Sequence, residues 1–436
     1  MKRIENQSKF DALRETFSTF TFERQTVKRE NGTLSLSFDF DLDDRYHFQP
    51  TLEIPARSFF DWNGIPMEQL EALAFQIGMT ELVSYWKIAC PKRVVVKPFT
   101  LTEEQKSFWK KLYYNGLGEF LYLNSITVSK DDLMELESAG DQAFAKVDLP
   151  LEEKTLVPVG GGKDSVVTLE CLRNTMPVIP LIVNPRGATL NCVKTAGYGE
   201  NDFIVINRTL DPTMLKLNAE GYLNGHTPFS ALLAFISILV AFGSRSKYIA
   251  LSNENSANES TVPGTNINHQ YSKSIEFERD FRNYVNENLS DKVQYFSFLR
   301  PLSELQIASL FAQCETYHPV FRSCNVGSKT DSWCGHCPKC LFTWIILSPF
   351  LSRDKLTAIF NKDLMADTSL RPIFEELNGT AAVKPFECVG TVEEVQACMD
   401  AVEGKRDKVE EILRRFNTEH FLPEVFERIL KTKLDV

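Results

Sequence analysis

The sequence predicts an α/β protein: a parallel sheet with helices on both faces, preceded by an α+β domain and followed by a helical region. Three observations lead there. Strand-like and helix-like segments alternate from residue 155 onward, a glycine loop joins the first such strand to the first such helix, and an Asn-Gly hairpin signal marks a different architecture near the N-terminus. Parallel strands need a crossover, usually a helix, so this alternation is the signature of a sheet covered on both sides.

Taken in order, residues 19–28 and 33–40 alternate polar and apolar side chains around Glu30-Asn31-Gly32. Asn-Gly supplies the two positive-φ positions of a tight hairpin turn. Residues 67–86 space their apolar side chains as a helix does, 93–96 read as a short strand, and a helix should begin near Thr102 with Glu103 and Glu104 complementing its dipole. This α+β domain is expected to span 1–150. In 151–350 strands are expected at 155–159, 178–183, 203–206 and 248–252, with helices at 166–173 and 229–242; the tail, 351–436, reads as mainly helical, with 392–402 and 408–416 as candidates.

A chain of 436 residues is too long for one ordinary core, and its net charge of −10 argues against non-specific binding to nucleic acid. The first residues are polar and amphipathic where an export signal would be apolar, and 229–242 is too short to span a bilayer. The expectation is a cytoplasmic protein with neither a membrane nor a nucleic acid as partner. Six of the ten cysteines are scattered singly, which is reducing-compartment usage and no disulfide framework.

The predicted strand at 155–159 runs into Gly160-Gly161-Gly162-Lys163-Asp164-Ser165 and then a helix. Three glycines let backbone N–H groups curl inward, and the helix N-terminus adds partial positive charge, so the loop is a cradle for phosphate. Lys163 can neutralise phosphate charge, Ser165 can donate a hydrogen bond, and Asp164 can help to hold Mg²⁺. The spacing differs from that of a Walker A loop. Asn184 and Asn253 follow later strands, and the polar run 252–259 offers Glu254 for Mg²⁺ or ribose.

A second motif lies downstream. Nine residues separate Cys324 from Cys334, after which Cys337 and Cys340 follow at two-residue gaps. Four thiolates so spaced can enclose one Zn²⁺ tetrahedrally; with four protein ligands the metal has no open position and its role is structural.

The glycine loop resembles the Ser-Gly-Gly-x-Asp-Ser loop of the ATP pyrophosphatase (PP-loop) superfamily, with Gly160 where many members have serine. Loop and cysteines together resemble two of its families, the 7-cyano-7-deazaguanine synthases, which lack an N-terminal domain like this one, and MurL. The MurL likeness runs through nearly the whole chain, at residues 78–86, 114–120, 157–165, 225–228, 252–258, 268–274 and 332–340. It implies an adenine-nucleotide α-hydrolase-like sheet and an ATP-dependent epimerase. Its substrate would be UDP-N-acetylmuramoyl-L-alanyl-L-glutamate, whose terminal L-glutamate is inverted to D-glutamate through an acyl-adenylate, with AMP and diphosphate released. The alternative it leaves is another carboxylate-adenylating PP-loop enzyme, a nitrile- or amide-forming ligase. Within this reading the catalytic residues are Lys163, Asp164, His269 and Lys273. His269 has the pKa range for proton transfer, Lys273 can bind a carboxylate or steady an enolate, and His226 is a competing base. The nucleotide would be held by Gly160, Gly161, Gly162, Lys163, Asp164, Ser165, Asn184, Asn253 and Glu254.

Overall fold

The computed structural model describes residues 3–434, and the chain folds as two compact units. The first gathers Met1–Glu152, Ile206–Lys247 and Gln270–Gln294; the second gathers Glu153–Val205, Tyr248–His269 and Tyr295–Val436. Both are mixed α/β structures.

In the first unit, β1 (Thr19–Glu30) and β2 (Thr33–Leu42) form the expected hairpin, and they extend further than their alternating pattern did. Asn31 and Gly32 turn it with φ of 51° and 79°, the positive-φ pair that Asn-Gly provides. β3 (Tyr46–Phe48) and β4 (Thr51–Ile54) pair antiparallel with β2, whereas β5 (Arg93–Val96) runs parallel to β1 and β6 (Glu135–Ser138) parallel to β5. The order is β4-β2-β1-β5-β6. Helix Met67–Trp86, as predicted, is buried almost all round because it packs on β1 and on the apolar helix Phe229–Ser244. Gly78 within it leaves no room for a Cβ, since Phe22 and Phe38 fill that place. No described helix is long and apolar enough to cross a membrane.

The remaining strands are β7 (Glu152–Pro158), β8 (Val178–Val183), β9 (Ile204–Thr209), β10 (Ser246–Leu251) and β11 (Gln294–Ser297), in the order β11-β10-β7-β8-β9; β8 and most of β7, β10 and β11 belong to the second unit, while β9 passes into the first after Val205. β7 and β8 are parallel, with Thr155 opposite Val178 and Pro158 opposite Leu181. Most boundaries fall within a few residues of expectation, and one shift matters for the site. The helix read at 166–173 spans Lys163–Leu172, so the polar residues of the motif form its first turn, where no periodic apolar pattern announces them. Helix Val392–Val402 appears where predicted; the one read at 408–416 is Asp407–Leu413. A core of aliphatic and aromatic residues runs from Val157 and Val166 through Phe311 to Trp344 and Phe426, binding sheet and helices together.

Candidate active site and metal centre

Beyond β7 the backbone turns through Gly160-Gly161-Gly162. At Gly161 φ is 80°, and a Cβ there would lie 2.9 Å from backbone atoms of Ala188 and Thr189, so both conformation and space demand glycine. Gly162 caps helix Lys163–Leu172 without any side-chain hydrogen bond to the first turn. The turn's N–H groups are therefore not spent on a side-chain cap. Ser165, expected to face phosphate, donates its hydroxyl to the Gly162 carbonyl at 3.0 Å and braces the loop.

Lys163 is 3% exposed, and its ammonium donates to both Asp164 and Glu304. Burial alone would push it down, but the two carboxylates hold its pKa above the usual lysine range. Glu304 is pushed in the same direction by its own burial and by Asp164, Glu254 and Glu394, against the pull of Lys163. Carboxylate oxygens of Asp164, Glu254 and Glu304 lie within 4.8 Å of one another. Three carboxyls around one ammonium leave an excess of hard oxygen donors, the donor set a divalent cation such as Mg²⁺ takes.

The neighbouring strand ends are wired to this cluster. Arg300, wholly buried, donates to the Glu254 carbonyl at 2.6 Å, and the Asn253 amide donates to Ser297 at 3.0 Å. Ser252 donates to Thr168 of the loop helix at 2.8 Å. Asn184, just past β8, is exposed and held at a φ of 51°. The structure thus brings together Lys163, Asp164 and Glu254. His269 is half-buried in the second unit, its backbone N–H donating to Thr261 Oγ1 at 3.0 Å; Lys273 belongs to the first unit, on the short turn Tyr271–Lys273. His226 is also in the first unit, with Nδ1 3.7 Å from the buried Glu119 carboxylate.

The four motif cysteines converge. Sγ separations are 3.8 Å for Cys324–Cys337, 3.7 Å for Cys334–Cys340 and 3.5 Å for Cys337–Cys340. A disulfide would need about 2.05 Å. A tetrahedron of sulfurs about 2.3 Å from a central metal has edges of about 3.8 Å. The Gly327 N–H points at Cys324 Sγ from 3.1 Å, and Cys324 is pushed to low pKa by hydrogen bonds from Cys337 and Cys340. The set fits a thiophilic metal ion. His336 is exposed, with Nδ1 2.8 Å from the Cys334 carbonyl, outside the cluster.

Comparison with known proteins accounts for most of the chain. The family model described as the MurL N-terminal domain matches residues 11–298, and that of the MurL C-terminal domain matches residues 320–425. The chain belongs to the MurL family. Among curated relatives, a Micromonospora protein is 36% identical over 86% of this chain and 84% of its own length. One from Xanthomonas oryzae pv. oryzae is 32% identical over 92% and 89%, and one from Salinispora tropica 37% identical over 72% and 69%. All three are named UDP-N-acetyl-alpha-D-muramoyl-L-alanyl-L-glutamate epimerase. No solved structure matches the chain.

Within this MurL chain the glycine loop lies in the N-terminal match and the cysteines in the C-terminal one. Glu304 falls between the two matches, and sequence reasoning missed it. Its signal was present but ordinary: Ser303 and Gln306 form a capping box, so an acid at the first helical position reads as a dipole partner.

Proposed function

We propose that this chain uses ATP to epimerise the terminal L-glutamate of UDP-N-acetylmuramoyl-L-alanyl-L-glutamate to D-glutamate, releasing AMP and diphosphate, as a cytoplasmic step of peptidoglycan precursor synthesis. The observation that carries this reading is the shared name of relatives that match the chain over most of its length. The lysine and carboxylate cluster beside an uncapped glycine loop supports the ATP-dependent part.

The chemistry explains why ATP is needed. Taking the α-proton from a free carboxylate would put a second negative charge beside the first, whereas an acyl-adenylate spreads the new charge as an enolate. In this reading Gly160–Gly162, Ser165, Asn184 and Asn253 position the nucleotide, and Lys163 neutralises phosphate charge as the substrate carboxylate attacks. Asp164 and Glu254, joined by Glu304, would hold Mg²⁺, which when bound supplies further charge neutralisation at phosphate. His269 removes and returns the α-proton, Lys273 steadies the carboxylate or enolate, and water releases the D-glutamyl product from AMP. Cys324, Cys334, Cys337 and Cys340 would hold a structural Zn²⁺. Residues 1–150 would serve the substrate, 151–350 the nucleotide and the zinc, and 351–436 the helical support.

The test is incubation with ATP, Mg²⁺ and the muramoyl dipeptide substrate, followed by chiral analysis of glutamate after hydrolysis. D-glutamate and equivalent AMP are expected. AMP without D-glutamate would point to a ligase; D-glutamate without AMP would remove the adenylate from the mechanism.

A further inference from the structure

The segment that leads into the cysteine cluster also lies against the phosphate loop. The Arg322 N–H donates to the Gly161 carbonyl at 2.8 Å, and Arg322's guanidinium holds its own loop closed through the carbonyls of Pro319, Phe321 and Asp331 at 3.0, 2.6 and 3.3 Å. Two residues on, Cys324 is a member of the thiol tetrahedron. Ser323 is therefore pinned on both sides, by the glycine loop and by the metal cluster. Its hydroxyl lies over Gly162, where an added Cβ would come within 2.7 Å of Oγ. Ser323 is only half-buried, and among the described residues its hydroxyl has no hydrogen-bond partner. Across the loop, a Cβ on Gly160 would meet nothing within 4 Å, so that side of the cradle is open and carries no hydroxyl.

We propose that Ser323 is a phosphate-binding residue of the glycine loop, a hydroxyl donor delivered to the nucleotide by the metal-binding segment. The inference rests on the ATP reading above and adds a second task for the thiol cluster, which holds Ser323 in register with Gly161 and Gly162. A hydroxyl in contact with a polyphosphate makes a charge-assisted hydrogen bond, among the stronger kinds available to a neutral side chain.

The experiment uses the full-length, metal-loaded protein and measures the affinity for α,β-methylene-ATP with Mg²⁺, alongside metal content. Ser323→Ala should weaken binding by about ten- to a hundredfold, the worth of one hydrogen bond to a charged group. Its metal content should match the parent's. In the Ser323→Ala background, Gly160→Ser should restore much of the affinity, because it returns a hydroxyl to the cradle at an unobstructed position. Unchanged affinity in Ser323→Ala would overturn the inference, as would a loss of affinity that tracks loss of metal. A parent protein that does not bind the analogue would remove the ATP reading itself, and this inference with it.

Discussion

The second unit concentrates ionisable groups in two places, and they are built on opposite terms. Around the glycine loop the ligand atoms are hard oxygens, and Lys163 already answers two of the three carboxyls. In the cysteine cluster the atoms are soft sulfurs, answered by hydrogen bonds between the thiols and by backbone N–H groups such as that of Gly327. The difference separates two roles. A partly compensated site can stand without its ligand and receive one in turnover, whereas four thiolates held this close repel one another and would be stabilised by a shared cation.

The most severe break in that comparison comes from the sulfur side. Metal binding to a closed thiolate site is also folding energy, roughly 10–16 kcal/mol in small zinc peptides. Cys334→Ser should therefore lose the metal and much of the thermal stability, which elemental analysis and a melting curve would check; a metal-free protein of parental stability would refute the site. Next in size is the separation of activation from inversion. His269→Ala should slow solvent deuterium exchange at the glutamate α-carbon by about 10²–10⁴-fold while AMP still forms, because C–H cleavage needs a base and adenylation does not. Full exchange in that variant would move the base to His226, Lys273 or a cysteine, and loss of both steps would make His269 a nucleotide ligand.

On the oxygen side, Asp164→Ala should lower AMP formation by about 10²–10³-fold, the usual cost of one charge-stabilising group in a transition state. AMP release at the parental rate would mean that Asp164 has no part in the chemistry. The smallest chemical effect is expected from an ion pair that belongs to neither place. In the first unit Glu81, 1% exposed, takes a bidentate hydrogen bond from Arg208, with one arm at 2.7 Å. Glu81→Gln should cost about 3–5 kcal/mol of stability by removing the carboxylate that faces the buried Arg208 charge, measured by denaturant unfolding. Metal content should not move. If it does, Glu81 is doing more than balancing Arg208.

What the sequence disclosed about these places follows from how local their information is. The loop and three of the four cysteines are runs of adjacent residues whose spacing carries the chemistry, so Gly160–Ser165 and Cys334–Cys340 could be read directly. Helix Met67–Trp86 and strand Arg93–Val96 were legible because each obeys a single period. The beginning of helix Lys163–Leu172 was not, since its first turn is polar and faces the cluster instead of the core. Glu304 was invisible for a different reason. It meets Lys163 across 141 positions of chain, and only folding makes a ligand of what looks like a helix-capping acid. Ser323 likewise gains its meaning from the loop beneath it, which no spacing rule records.

The division of the chain bears on how the protein can be made. Its path passes from one unit to the other at 152/153, 205/206, 247/248, 269/270 and 294/295. A growing polypeptide thus holds no complete first unit until residue 294 has left the ribosome, and helix Met67–Trp86 waits on its apolar partner Phe229–Ser244 until residue 244. From residue 86 to residue 244, more than a third of its synthesis, the nascent chain must carry that uncovered apolar surface. A gene cut between the two family matches, after residue 298, would release a fragment containing every part of the first unit. The same cut would leave the glycine loop on one polypeptide and Glu304, Ser323 and the four cysteines on the other.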